Sequence, residues 1–156
     1  MRKKILIAFD DSENAMRAVQ YVAESFSPQH AVTLYSVLPD TASLCEMEGS
    51  ELTPYFKSQQ QAFCALEEKK KSLVSEALQR ARDVLLQAGF AKDHITLKVE
   101  PKKKGIARDL VVEARNGYDL IVVGRRGISG IKEYFLGSIS QKILNLAKES
   151  SILVVN

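Results

Sequence analysis

Asp119-Leu-Ile-Val-Val-Gly-Arg-Arg-Gly-Ile-Ser-Gly-Ile-Lys-Glu-Tyr-Phe-Leu-Gly-Ser-Ile-Ser140 is the stretch on which the fold reading turns. Its first five residues form an apolar run of the length and composition of a buried strand. Its last residues lead into a helical pattern that places Ile139, Ile143, Leu146 and Ala147 on one face. Between them lie four of the chain's eight glycines, Gly124, Gly127, Gly130 and Gly137. A strand, a glycine-rich loop and a helix start together make a cradle for an anion. Main-chain N–H groups can close on phosphate oxygens where no Cβ intervenes, and the helix N-terminus adds partial positive charge.

The same alternation extends outward in both directions. Lys4 to Phe9 is a short apolar run, followed by Asp10-Asp11-Ser12, which supplies helix-capping chemistry. Ala15, Ala18, Val19 and Val22 then mark a helix that ends near Phe26, before Ser27-Pro28. Ala31 to Val37 is the second strand. Residues 38–60 form a long connection containing Pro39, Gly49 and Pro54, with room for a short helix or a lid. Phe63 to Leu85 keeps a helical period that stops at Gly89. His94 to Val99 is a third strand, and Ile106 to Ala114 a third helix closed by Asn116-Gly117. The fourth strand is Asp119 to Val123, the fourth helix Ser138 to about Lys148, and the fifth strand Ser151 to Val155. This β-α-β-α-β-α-β-α-β order predicts an open, parallel, five-stranded sheet with helices on both faces, an α/β three-layer fold of Rossmann-like type. Ligands in such folds sit beyond the carboxyl ends of the strands, where Asp10, Val37, Glu100 and Gly124 fall.

Composition narrows the function classes. The chain has 156 residues and a net charge of +3, with 22 basic residues nearly matched by 19 acidic ones, so charge gives no argument for nucleic acid. No apolar run reaches membrane-spanning length, and the stretch after Met1-Arg-Lys-Lys4 is too short for a signal peptide. Cys45 and Cys64 make neither a metal spacing nor a CxxC pair, and read as two reduced thiols of a cytoplasmic protein. One domain over residues 1–156 is expected.

The glycine loop is neither a Walker A loop, because no Gly-Lys pair occurs, nor a GxGxxG fingerprint. Its spacing, Gly124-x2-Gly127-x9-Gly137-Ser138, resembles the ATP-binding signature of the universal stress protein family. Lys4 to Asp10 with Ser12 resembles that family's opening strand, Tyr118 to Gly124 its fourth strand, Leu136 to Ser140 its helix start, and Ser151 to Val155 its closing strand. The resemblance covers essentially the whole chain, residues 38–60 least.

The resemblance implies strand order 3-2-1-4-5, the adenine nucleotide alpha hydrolase-like arrangement. It implies ATP as ligand, with Mg2+ or Mn2+ accompanying it, and a cytoplasmic homodimer paired through Ile152 to Val155. It gives Asp10 to the adenosine, Val37 main-chain groups to the adenine edge, and Gly124, Arg125 and Gly127 to the ribose and phosphates. Gly137, Ser138, Ile139 and Ser140 would bind phosphate through N–H and hydroxyl groups. Plainer readings stand beside these: Asp10 as a cap of the first helix, Ser138 as the N-cap of the fourth, and Lys102-Lys103-Lys104 as a solvated run. Arg125 and Arg126 are adjacent, so at most one faces a ligand. No Ser-His-Asp set, catalytic carboxylate pair or metal cluster is visible, and His30 and His94 lie at strand starts. A receiver-domain reading of Asp10-Asp11 fails for want of an acceptor Asp after strand three and a Lys after strand five. The function expected is a nucleotide-dependent regulator with at most slow ATP hydrolysis. The alternatives are a nucleotide-free dimeric module of the same fold and an enzyme acting on an adenylated substrate.

Overall fold

A computed structural model describes residues 1–47, 53–125 and 136–156. Five strands are present: β1 Lys4–Ala8, β2 Ala31–Leu38, β3 Ile95–Pro101, β4 Leu120–Gly124 and β5 Ser151–Val155. The helices are α1 Glu13–Ser25, α2 Ala42–Cys45, α3 Pro54–Gln87, α4 Ile106–Ala114 and α5 Ser138–Leu146, with a 3-10 turn at Lys92–His94. All strand pairs are parallel and the order is β3-β2-β1-β4-β5, as expected.

The continuous apolar runs are explained by burial on both faces. Ile5 and Ile7 face one layer, where they pack with Val19 and Val22 of α1 and Leu78, Ala81 and Leu85 of α3. Leu6 points the other way, to Leu110 of α4, Ile121, and Ile143 of α5. The topology puts α1 and α3 on one side of the sheet and α4 and α5 on the other. Strand order reverses between β1 and β4, so the crevice that such sheets offer to ligands opens beyond Ala8 and Gly124.

The connection after β2 holds the short helix α2, and α3 begins at Pro54, capped by Thr53 Oγ1. At 34 residues α3 is about 51 Å long, whereas a seven-residue strand such as β3 spans only about 23 Å. Since α3 runs down to the start of β3, its first half overhangs the carboxyl edge of the sheet. Burial agrees: between Pro54 and Leu73 only Glu67 is buried, and the apolar core face starts at Val74.

One sequence expectation is overturned. Cys45 and Cys64 are not separate thiols but a disulfide, with Cα atoms 5.9 Å apart. Their separation of 19 residues carries no recognisable spacing. It is the folding of α2 back onto α3 that brings them together.

Candidate functional site

The end of β1 is latched before Asp10 is reached. Phe9 N–H donates to the Tyr35 carbonyl (2.9 Å), and Ser36 Oγ donates to the Phe9 carbonyl (2.8 Å). Sequence reasoning passed over Ser36; a hydroxyl inside the apolar run Leu34-Tyr-Ser-Val37 was the available signal. Asp10 Oδ1 accepts from Ser12 N–H (2.9 Å), and Ser12 Oγ accepts from Ala15 N–H (3.2 Å). The cap of α1 is therefore Ser12, and Asp10 tightens the turn before it. Its second carboxylate oxygen is not used in that turn.

Val37 lies in β2, in register with Glu100 of β3. Successive residues of a strand direct their main-chain groups to opposite sides. The Leu38 carbonyl accepts from Lys102 N–H on the β3 side (2.6 Å), and the Tyr35 carbonyl faces β1. Val37 thus aims its N–H and C=O past the end of β1, toward the crevice.

Gly124 closes β4 for a reason of packing. A Cβ built there would lie 2.8 Å from the Asn14 carbonyl oxygen and 2.9 Å from its carbon, so the first turn of α1 approaches the strand too closely for any side chain. Next to it, Arg125 N–H donates to the Val155 carbonyl (2.8 Å), and the Arg125 carbonyl accepts from Gly137 N–H (2.7 Å). The chain therefore leaves and rejoins the sheet edge through one hydrogen-bonded neck. The Arg125 guanidinium turns to the β5 side and donates to Asn156 Oδ1 (3.0 Å). Gly127 and Arg126 lie outside the described residues.

Beyond the neck, α5 begins. Its N-cap is Gly137, not Ser138, and no side-chain cap is present among the described residues. The first intrahelical bond runs from Gln141 N–H to the Gly137 carbonyl (2.9 Å). The N–H groups of Ser138, Ile139 and Ser140 consequently have no acceptor inside the helix and project from its positive end. The side chains of Ser138 and Ile139 are exposed. The Ser140 hydroxyl is buried and donates to the Gly124 carbonyl (2.8 Å), so it ties the helix start to β4.

The carboxyl end of β3 is arranged differently. The Asp109 carboxylate, buried in the first turn of α4, accepts from Lys103 N–H (2.7 Å) and Lys104 N–H (3.0 Å). Gly105 sits at φ +139°, a conformation that favours glycine. Burial works against the Asp109 charge, but these main-chain donors outweigh it and hold the carboxyl below its ordinary range. Nearby, Tyr35 donates to Glu100 Oε2 (3.0 Å), and Lys98 Nζ bridges Glu113 Oε2 (2.8 Å) and Glu100 Oε1 (3.3 Å). The tyrosine bond, then the lysine, keeps the Glu100 carboxyl below its ordinary range, while burial pushes the Tyr35 phenol upward. Tyr118 completes the cluster by donating to Glu113 Oε1 (3.2 Å). Glu100 is thus a tie within the α4 layer rather than an unoccupied acceptor at the ligand edge.

The structure brings Asp10, Val37, Gly124, Arg125 and Gly137 to Ser140 to one edge around the β1–β4 crevice. Among the described residues no helix is long and apolar enough to cross a membrane.

Comparison with known proteins agrees with this architecture. A model described as the universal stress protein family matches residues 1–156. Universal stress protein YxiE of Bacillus subtilis is 28% identical over 148 residues, 94% of this chain and 95% of that protein. Among solved structures, the hypothetical protein MJ0577 is 21% identical with a TM-score of 0.71, covering 99% of this chain and 96% of that one. A universal stress protein in complex with cAMP is 18% identical with a TM-score of 0.63, covering 99% and 97%. At these identities the two structures speak for the fold.

Proposed function

The chain belongs to the universal stress protein family, and on that premise we propose that it binds ATP in the β1–β4 crevice and acts as a nucleotide-dependent regulator, hydrolysing ATP slowly at most. The observation that carries the reading is the start of α5, where three consecutive main-chain N–H groups lack an intrahelical acceptor beside the switch point of the sheet. Such a cluster suits the oxygens of a polyphosphate. The Val37 main-chain groups suit an adenine edge, and the Asp10 oxygen that the turn leaves over suits a ribose hydroxyl. Arg125 positions the start of α5, since its N–H and C=O bond Val155 and Gly137 and its guanidinium bonds Asn156. A structural relative in complex with cAMP supports an adenine nucleotide as the ligand class.

Among the described residues of this set the one carboxylate, Asp10, is assigned to the ribose rather than to a base for attack on a phosphate. Turnover would depend on a positioned water and a divalent cation brought with the nucleotide, Mg2+ or Mn2+, since phosphoryl transfer rests mainly on placement and charge. The protein acts as a homodimer in this reading, through β5. Among the described residues that strand pairs with β4 alone, and it keeps Ile152, Leu153 and Val154 half-buried at the sheet's outer edge.

Mass spectrometry of ligand released from freshly purified protein should find an adenine nucleotide, and calorimetry should measure ATP binding. Gly127→Val, which puts a branched side chain into the loop signature, should abolish binding while the circular dichroism spectrum stays unchanged. Unaltered affinity in that variant would overturn the assignment of the glycine loop to the phosphates, and no ATP binding by the wild type would leave the nucleotide-free module of the same fold.

A further inference from the structure

The overhanging first half of α3 is held differently from the rest of the molecule. Below Val74 the helix is fixed by core packing, whereas above it the neighbouring element is α2, a single turn of four residues with no side-chain cap. One isolated turn does not sustain itself in water. Among the described residues, polar ties run from Gln60 Nε2, which donates to the carbonyls of Leu44 and of Met47 (3.1 Å). Apolar packing is incomplete, because a cavity of about 290 Å³ lies between the two helices, lined by Leu44, Met47, Phe56, Gln59, Gln60 and Phe63. Phe56 is 60% exposed and Met47 51%. The covalent bond from Cys45 to Cys64 therefore does there what a core does elsewhere.

That bond is also reachable. Cys45 is exposed and Cys64 half-buried, so a thiolate can approach the Cys45 sulfur from solvent. Exposed disulfides are the labile class, and no other cysteine in the chain competes.

We propose that Cys45–Cys64 is a reversible thiol–disulfide exchange site, taking a small dithiol or a dithiol protein as reductant, whose state sets whether α2 stays docked on α3. The reductant's thiolate attacks Cys45 Sγ, forming a mixed disulfide, and Cys64 leaves as a thiolate that takes up a proton. The reductant's second thiol gives up its proton and closes on the first sulfur, expelling the Cys45 thiolate, which is protonated in turn. The protein gains two electrons and two protons, and the reductant becomes its own disulfide. Oxidation by a small disulfide reverses the sequence. The consequence reaches the ligand edge, since α2 starts at Ala42, shortly after β2 ends at Leu38 beside Val37. Reduction frees that segment and alters ATP affinity. This coupling rests on the proposed nucleotide site; the exchange chemistry does not.

The test uses the full chain, oxidised in air and then treated with dithiothreitol in native buffer. Iodoacetamide quenching and mass spectrometry should find both cysteines alkylated while circular dichroism is unchanged. Amide hydrogen exchange over 42–47 should accelerate about tenfold or more, with 74–85 unaffected. Cys45→Ser should show the fast exchange without reductant and no response to it, and oxidised glutathione should restore slow exchange in the reduced wild type. Alkylation only after denaturant, or exchange over 42–47 indifferent to reduction, overturns the proposal. Calorimetry with ATP on both states separates the two readings. An affinity change of about threefold or more supports the coupling, and equal affinities overturn it. ATP bound by neither state overturns the nucleotide site while the exchange result stands.

Discussion

Two clusters of main-chain amides stand on the same edge of this sheet, and they differ in what fills them. After β3, the N–H groups of Lys103 and Lys104 close on the protein's own Asp109 carboxylate. After β4, the N–H groups of Ser138, Ile139 and Ser140 point away from α5, and no side chain caps them among the described residues. The first is a structural device, in which a buried charge is satisfied and a loop is tied to a helix. The second has equivalent donors for which the described residues supply no side-chain acceptor. An amide cluster indicates a ligand only when the chain does not supply the anion itself, and this distinction separates the two ends.

The contrast can be tested by filling one cluster and emptying the other. Ser138→Asp supplies a carboxylate at the first turn of α5. It should lower ATP affinity about a hundredfold or more by calorimetry, through occupation of the donors and charge repulsion. The same change should leave the melting temperature equal or raised, because an acid there complements the helix dipole by about 0.3–1 kcal/mol. ATP affinity unmoved by that substitution would break the comparison outright.

The converse change, Asp109→Asn, replaces a doubly accepting carboxylate with an amide that turns donors toward donors. Urea unfolding at neutral pH should show a loss of about 1–3 kcal/mol, with ATP affinity retained. The pH dependence has a definite sign. The Asp109 carboxyl is held below its ordinary value, so its contribution is complete above the ordinary carboxylate range and is lost as pH falls through that range toward the lowered value. The gap between wild type and Asp109→Asn should therefore narrow as pH falls through and below the ordinary carboxylate range, about 4. A constant gap would detach the stabilisation from the carboxylate charge.

The smallest effect concerns Ser140, whose hydroxyl serves the Gly124 carbonyl rather than the crevice. Ser140→Ala should cost about 0.5–1.5 kcal/mol in thermal unfolding and change ATP affinity less than about threefold. A large loss of affinity at unchanged stability would return the hydroxyl to the ligand.

Periodicity was a sufficient guide to the strands and to most helices, because a parallel sheet buried on both faces leaves nearly unbroken apolar runs such as Ile5-Leu6-Ile7 and Ile121-Val122-Val123. The edge on which Asp10, Val37, Gly124 and the α5 start converge followed from that order alone. The particular duties were less legible. Gly124 reads as a loop glycine, yet what forbids a side chain there is the carbonyl of Asn14, which is distant in sequence. Arg125 reads as a phosphate ligand, yet its guanidinium finds Asn156. Ser138 reads as a cap, yet the cap is Gly137.

The residues by themselves determined which segments are strands, their alternation with helices and the glycine spacing after β4, since these are properties of neighbours along the chain. Tertiary structure alone decided that one amide cluster is stoppered by Asp109, that Cys45 meets Cys64, and that the first half of α3 stands beyond the sheet. Each of those depends on groups that only folding brings within a few ångströms, where hydrogen bonds, covalent bonds and steric exclusion take effect.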